Sequence, residues 1–391
     1  MLLSARLIRI NVVSGLAQIV QIGAISPLLA FILHASGESP EVIGVVVSGS
    51  WIAVIIFSHV VPNFLARLGV VKAIAFALVM SICSLLLMIN QTDPIILFAS
   101  NLIGGIGLIF RWVACDTWIV NASADSERGR AIGIHETLMG LGIALGPALL
   151  GITNTVGAAP FIGCIVILCL SLIVLLFSGS DNFRPSVQTT SGGSLWTSMK
   201  IIPVAVIGSF SAGFVETSIL AFLPVHLVGL HYLSRIAAVI LAAYGLGGTL
   251  PQLPMGWLAD VAGYRGAQFA SVGISAICSI GLMFFGAHFA PAMVIAFIWG
   301  GVVGAMNTLA VIEAGHKANE NQMSSAMAAV AFSYTAGSVS GPLATGTINA
   351  YMGSIGVFIV TAILCFGVGL FFLCWKYFGL TAAMRTRRPQ I

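Results

Sequence analysis

The amino-acid sequence predicts an all-α polytopic membrane protein with twelve transmembrane helices in two six-helix, pseudo-symmetric halves. Composition is the first of three observations behind this fold class. Hydrophobic residues make up 59% of the 391-residue chain and charged residues only 7%, whereas soluble domains carry roughly 25% charged residues. The other two observations are apolar runs that match the thickness of a bilayer and a second half that repeats features of the first.

A transmembrane helix needs about 20 apolar residues, and twelve stretches of the sequence approach this length. A polar segment at 179–198, which includes Asp181 and Arg184, separates them into two groups of six. We therefore expect an N-terminal bundle at 1–178, a cytoplasmic linker at 179–198 and a C-terminal bundle with a basic tail at 199–391. The predicted spans lie near 10–33, 41–65, 72–91, 94–120, 131–154, 159–178, 201–226, 236–259, 267–288, 291–314, 323–350 and 354–376.

The distribution of Lys and Arg predicts the orientation, because cytoplasmic loops of membrane proteins are enriched in these residues. If the chain starts in the cytoplasm, the outer loops contain Arg235 as their one basic residue, together with Glu38, Glu41 and Asp93. We therefore expect a multi-pass protein of the bacterial inner membrane with both termini in the cytoplasm. The inner segments then contain Arg6, Arg9, Arg67, Lys72, Arg128, Arg130, Arg184, Lys200, Arg265, Lys317, Lys376, Arg385, Arg387 and Arg388.

The two halves repeat each other at a spacing near 195 residues. The segment GPALLG at 146–151 matches GPLATG at 341–346, and the loop NFLARLGVVK after span two matches GWLADVAGYR at 256–265 after span eight. Duplicated halves are an architecture of secondary transporters, in which the substrate site lies at the interface between the halves.

These motifs resemble those of the major facilitator superfamily, and the resemblance covers essentially the whole chain. GWLADVAGYR resembles the family's loop signature, and its first-half copy has Ala66 in place of the Asp. Asn101 stands where the family usually has a membrane Arg. The segment at 133–151 resembles the glycine–proline motif of proton-linked exporters, with Leu150 in place of one glycine. The overall pattern is most similar to small bacterial drug-exporter-like permeases.

The two glycine–proline segments also have a physical interpretation. Small residues four apart let membrane helices approach closely, and proline bends a helix. We expect Gly146 and Pro147 in span five, and Gly341 and Pro342 in span eleven, to lie in bent helices at the interface between the halves. Such helices would suit a rocking motion; packing without a gating role is the alternative.

Charged residues near the cytoplasmic face form two candidate latches. A carboxylate at the end of span eight can cap a neighbouring helix or pair with a nearby Arg. The family resemblance implies that such a latch favours the outward-facing state, and ordinary interfacial charges are the alternative. The first candidate contains Asp260, Gly263, Arg265 and Glu313, and the weaker second contains Arg67, Lys72 and Asp116.

Charged residues deeper in the spans are energetically costly and need a partner or a task. Arg111 and Asp116 in span four are five residues apart, on faces that differ by about 140°, so we expect Arg111 to reach a carboxylate on span five or a substrate anion. Glu216 in the middle of span seven is the first candidate for proton coupling, because its own helix offers no cation nearby. A substrate hydrogen bond or a structural role is the alternative, and His135 with Glu136 in span five is a second candidate.

Polar side chains in apolar spans predict the wall of a central cavity. Asn11, Ser14, Gln18 and Gln21 of span one fall within about 80° of arc, so this stripe should face water or protein rather than lipid. Trp51 is equally compatible with the cavity and with lipid. Further candidates for the wall are Ser209 on the face of Glu216, Tyr244 and Gln252 in span eight, and Trp299 and Asn307 in span ten.

We therefore expect a secondary transporter of a small organic solute, proton-coupled and working by alternating access, either as antiporter or symporter. The sequence contains no GxxxxGK[ST] loop for nucleotide binding and no catalytic motif, so we expect no enzyme, no cofactor and no metal. The expected partners are the solute, protons and the bilayer, without nucleic acid, and the expected state is a monomer. Open alternatives are uptake of a vitamin such as riboflavin or of a sugar, an uncoupled facilitator, and a lipid flippase.

Overall fold

The computed structural model describes residues 5–123, 128–178, 182–185, 195–250 and 263–386. The regular elements in these ranges are helices, and none of them is a strand, which confirms the all-α fold class. A single 3-10 turn, Gly353–Ile355, connects the last two helices. The helices are α1 (Ala5–Ala35), α2 (Pro40–Phe57), α3 (Val61–Leu68), α4 (Val70–Met88), α5 (Pro94–Ala122), α6 (Arg128–Thr153), α7 (Ala159–Leu176), α8 (Leu195–Ile201), α9 (Pro203–Gly229), α10 (Ser234–Thr249), α11 (Tyr264–Phe285), α12 (Phe289–Lys317), α13 (Glu320–Met352) and α14 (Gly356–Thr386).

Ten stretches of the described residues are long and apolar enough to cross a membrane. One of them, Gln322–Cys374, contains parts of both α13 and α14, and the apolar helix α10 is shorter because it ends where the undescribed residues 251–262 begin. The predicted count of twelve spans and the predicted boundaries between the halves therefore stay predictions.

The predicted second span at 41–65 is two helices in the structure. α2 ends at Phe57, a turn occupies residues 58–60, and α3 then begins at Val61. Pro62 lies in the first turn of α3. The N–H groups of a first turn make no hydrogen bond within the helix, so the missing N–H of proline is tolerated there. The apolar pattern continues through the turn, so hydropathy alone could not locate this break.

Glycine turns precede two equivalent helices of the internal repeat. Gly69 before α4 has φ +87° and Gly263 before α11 has φ +75°, a backbone region that glycine adopts readily. Beside the first turn, the side chain of Asn182 accepts a hydrogen bond from the N–H of Val71 (3.0 Å) and donates one to the carbonyl of Leu68 (3.1 Å). The start of the linker is thereby attached to the N-terminal half.

The two halves meet where glycines allow close approach. A Cβ on Gly44 of α2 would collide with the carbonyl oxygen of Pro342 in α13, and one on Gly245 of α10 would lie 2.5 Å from Ala144 of α6. The glycines of the predicted gating segments are divided between the two kinds of contact. Gly146 lies against Gly23 of α1 and Gly341 against α9, each within its own half, whereas Gly346 lies against Pro40 of α2 in the other half.

Candidate functional site

Arg111 is the centre of a buried polar network in the N-terminal half. Its side chain extends from α5 to the polar face of α1 and is only 1% exposed. The guanidinium donates from Nε to Gln21 Oε1 and from Nη2 to Gln18 Oε1, both at 2.5 Å. Nη1 donates to Ser14 Oγ (2.7 Å), and Gln21 Nε2 donates in turn to Ser81 Oγ (2.7 Å). The polar stripe of α1 therefore surrounds a buried cation.

The partners of Arg111 are neutral, although the sequence suggested a carboxylate on span five. Within the described residues no Asp or Glu forms an ion pair with Arg111. The carboxylate of Asp116 lies instead beside His135, and the side chain of Glu136 is exposed. Because a guanidinium stays protonated in proteins, the N-terminal half keeps a positive charge in its polar core without a counter-charge bound to it.

A π-helical segment interrupts α1 beside Arg111. It extends over Ile19–Ala24, so that Gln18 precedes it and Gln21 lies within it. A π-helical turn contains an extra residue and occurs often at functional sites. Gln18 and Gln21 both reach the same guanidinium at the start of this segment. Gly23 of this segment also packs closely against α6. A Cβ added at Gly23 would lie 2.8 Å from the carbonyl oxygen of Gly142.

His135 links α6 to α1 and α5. Its Nδ1 lies 3.0 Å from Asn11 Oδ1, and its Nε2 lies 3.6 Å from Asp116 Oδ1. The ring is buried, whereas the adjacent Glu136 side chain is exposed. The two neighbouring titratable residues thus have different surroundings.

Glu216 in the middle of α9 has a partner from α13. The hydroxyl of Tyr334 donates to Glu216 Oε2 over 3.0 Å, and no cationic side chain of the described ranges forms an ion pair with this carboxyl group. The Tyr334 ring packs edge-on against Trp51 of α2, with centroids 5.8 Å apart. Since α2 belongs to the other half, a single side chain separates Glu216 from the interface between the halves.

A small pocket between the halves lies beside the Arg111 network and beside the Glu216–Tyr334 pair. Gln21 and Trp51 line it from the N-terminal half, and Thr217, the neighbour of Glu216, lines it from the C-terminal half. Asn101 also lines this pocket. Its Nδ2 donates to two carbonyl oxygens of α2, at 2.8 and 3.2 Å, and its buried Oδ1 has no partner among the described residues. The pocket therefore offers amide and hydroxyl groups beside one aromatic ring.

The other predicted cavity residues lie mainly within the C-terminal half. Ser209 Oγ donates to Asn307 Oδ1 (2.8 Å), which connects α9 to α12. Trp299 is fully buried, and its indole N–H donates to Ser275 of α11 (2.8 Å). Tyr244 packs edge-on against Trp299 and is buried. These contacts hold helices of one half together, and Gln252 lies outside the described residues.

The first predicted latch is present in part. Glu313 is 1% exposed, and its Oε1 lies 3.9 Å from Arg265 Nε and 2.5 Å from Lys317 Nζ. Asp260, the remaining charged member, lies outside the described residues, while Gly263 forms the turn before α11. The residues of the second predicted latch form no ion pair with one another in the described ranges: Arg67, Lys72 and Asp116.

Sequence reasoning missed the partners of two carboxylates, Glu216 and Glu313. Tyr334 lies in an apolar helix without a polar stripe that would single it out, and it is separated from Glu216 by 118 positions. Lys317 was assigned only to the positive cytoplasmic surface, although its spacing of four residues from Glu313 is a signal for an ion pair on one helix face.

The chain belongs to the Major Facilitator Superfamily, whose family model matches residues 12–336. With its apolar helices, the protein is therefore a multi-pass membrane transporter of this superfamily. The chain is similar to the uncharacterized MFS-type transporter YfkF of Bacillus subtilis, with 27% identity over 85% of each chain. It is also 25% identical to the uncharacterized MFS-type transporter YcaD of Salmonella paratyphi B over 61% of this chain and 62% of that one.

Solved structures show the same fold at low sequence identity. A crystal structure of the nucleoside transporter NupG superposes with a TM-score of 0.74 at 15% identity and covers 95% of this chain and 98% of that one. A bacterial homologue of the human lysosomal transporter Spinster, in an inward-facing and unoccupied conformation, gives a TM-score of 0.78 at 13% identity and covers 94% and 96%. These likenesses confirm the fold that the motifs of the sequence implied.

Proposed function

We propose that this protein is a proton-coupled secondary transporter of a small organic solute that works by alternating access. In this proposal both termini lie in the cytoplasm of a bacterium, and the solute binds at the pocket between the halves when the pocket, about 10 Å³ in this structure, widens during the cycle. The observation that carries the proposal is Glu216, a carboxyl group in the middle of an apolar helix. Its hydrogen-bond donor in the described structure, Tyr334, contacts Trp51 of the opposite half.

Proton binding at Glu216 would act through charge. An ionised carboxylate is costly to enclose in a membrane protein without a cation, and none forms an ion pair with it in the described ranges. Protonation removes the charge and turns an acceptor into a group that can also donate. The neutral form would therefore let the halves close over the pocket, and the ionised form would favour an open, hydrated arrangement.

The surroundings of the pocket support a polar organic solute. Gln21, Asn101 and Thr217 offer hydrogen bonds, and Trp51 offers a flat apolar surface. The glycine–proline motif of α6 favours export, in line with the permeases that the sequence resembles. Uptake of a planar polar nutrient is the second candidate, and the same amide and aromatic groups favour it.

A coupling assay in proteoliposomes tests the proposal. A thermal-shift screen against metabolites and drugs first identifies a solute, and a pH-sensitive dye inside the vesicles then reports proton movement when a gradient of that solute is imposed. We expect proton movement with the wild type and none with Glu216→Gln, while Glu136→Gln retains it. Equal proton movement with wild type and Glu216→Gln would reject Glu216 as the coupling group.

A further inference from the structure

A second cavity, of about 300 Å³, lies between the halves at the end of the bundle opposite the N-terminus. From the N-terminal half it is lined by His34 and Glu38 after α1 and by Ile43 of α2, and from the C-terminal half by Phe222 of α9 and Asn349 of α13. A cavity of this size can hold a small organic molecule. We call it the interhalf crevice.

The interhalf crevice is separate from the pocket that contains Trp51. Along α2, Ile43 lines the crevice, and the next residue, Gly44, packs directly against the backbone of α13. One turn further, Ser48 Oγ donates to a carbonyl oxygen of α13 (3.1 Å). Trp51 then lines the central pocket. Direct contact between the halves therefore lies between the two spaces.

The charged group of the crevice is Glu38. Its side chain is only partly exposed and forms no ion pair within the described residues. Of the other polar lining residues, Ser354 bonds His226 over 3.0 Å and His34 is exposed. Phe222 and Ile43 supply apolar walls, and none of the described residues that line the cavity is a Lys or an Arg. The crevice thus combines a carboxylate that has no ion-pair partner in the described ranges with an apolar surface.

We propose that the interhalf crevice binds a small amphipathic amine. The ammonium group would donate to the carboxylate of Glu38, and the apolar part would pack against Phe222. Charge-assisted hydrogen bonds of this kind are about twice as strong as neutral ones. Because the ligand contacts both halves, its binding stabilises the arrangement in which they meet at this face, and it slows any transport cycle that must separate them.

Benzylamine is a suitable probe, with benzyl alcohol and benzoate as neutral and anionic controls of the same shape. Binding is measured by isothermal titration calorimetry on the full chain in lipid nanodiscs. We expect saturable binding of benzylamine, weaker binding of benzyl alcohol and none of benzoate. Glu38→Gln should weaken benzylamine binding about tenfold, the size expected when a hydrogen bond to a charged group is lost, while Glu41→Gln in the next turn should leave it unchanged.

One further variant makes the outcome decisive. Phe222→Ala should weaken benzylamine binding more than methylamine binding, because Phe222 lines the crevice. Thermal unfolding of each variant verifies that it is folded. Absence of benzylamine binding, or equal affinity of wild type and Glu38→Gln, overturns the proposal.

Discussion

The hydroxyl of Tyr334 lies 3.0 Å from the carboxyl oxygen of Glu216, and this hydrogen bond joins α13 to the middle of α9. On its other side the Tyr334 ring contacts Trp51 of the N-terminal half. A change in the charge of Glu216 therefore acts directly on a side chain at the interface between the halves. Proton binding and the relative position of the halves can be coupled through this one residue.

Tyr334→Phe should uncouple the protein while the helices stay packed. The substitution retains the ring against Trp51 and removes the hydroxyl, and a hydrogen bond to a charged acceptor contributes about 1.5–3 kcal/mol. We expect solute-driven proton movement in proteoliposomes to fall roughly tenfold, and thermal stability to fall by no more than the loss of this one hydrogen bond. Tyr351→Phe is the matched control because Tyr351 is 84% exposed. Unchanged coupling in Tyr334→Phe would show that the hydrogen bond has no part in it.

Arg111→Lys should not replace arginine in the N-terminal network. The guanidinium reaches Gln18, Gln21 and Ser14 with three different nitrogens, whereas an ammonium is a single point and lacks the planar fork. Each acceptor left unpaired in the core costs about 1–3 kcal/mol. We expect Arg111→Lys to lower the unfolding temperature in nanodiscs and to reduce transport at least tenfold. Wild-type transport by Arg111→Lys would mean that only the positive charge matters.

Gly44→Val should keep the halves apart at the end of the bundle that contains the interhalf crevice. A side chain at Gly44 collides with the carbonyl of Pro342, whereas Gly273 of α11 has no neighbour within 4 Å of an added Cβ. In a background with Cys83→Ser, Cys169→Ser and Cys374→Ser, which removes the partly or fully exposed free cysteines of the described residues, spin labels at Ser36→Cys and Tyr351→Cys report the separation of the halves. We expect longer distances in Gly44→Val and wild-type distances in Gly273→Val. Identical distances in both would contradict the importance of this contact.

Glu313→Gln should destabilise the C-terminal half. Glu313 is 1% exposed, whereas its closest partner Lys317 is 21% exposed, so the value for a fully buried pair does not apply, and the lost charged hydrogen bond contributes about 1.5–3 kcal/mol. We expect a lower unfolding temperature, with partial recovery in the double variant Glu313→Gln, Lys317→Met. A double variant that is less stable than the single one would show that Lys317 is stabilised by groups other than Glu313.

The sequence predicted the fold class, and it also indicated the polar stripe of α1. Hydropathy and the internal repeat define apolar helices in two similar halves, and these signals are local or periodic. The stripe of Asn11, Gln18 and Gln21 was visible because polar residues recur on one face of an apolar helix. Its partner Arg111 could not be assigned, since contact between α1 and α5 depends on how distant helices pack. The same limit concealed Tyr334, a single residue without a periodic pattern.

Helix breaks were the second limit. The turn after Phe57 and the π-helical segment at Ile19–Ala24 both occur within apolar sequence. Their causes are a proline in a first helical turn and close packing of Gly23 against α6, and the second of these depends on tertiary contacts. Hydropathy is equally high for residues that face lipid and for residues that are buried in protein. It therefore does not reveal interruptions of a helix.

The hydrogen bonds between Asn182 and the turn before α4 fix where the connection between the halves starts. With Asn182 attached to Val71 and Leu68, residue 182 is held by the N-terminal half, and α8 begins thirteen positions later, at Leu195. A stretch of this length spans at most roughly 45 Å when fully extended. Covalent connectivity therefore sets an upper limit on the distance between Asn182 and α8, and breaking the bonds of Asn182 would raise that limit on the separation of the two bundles.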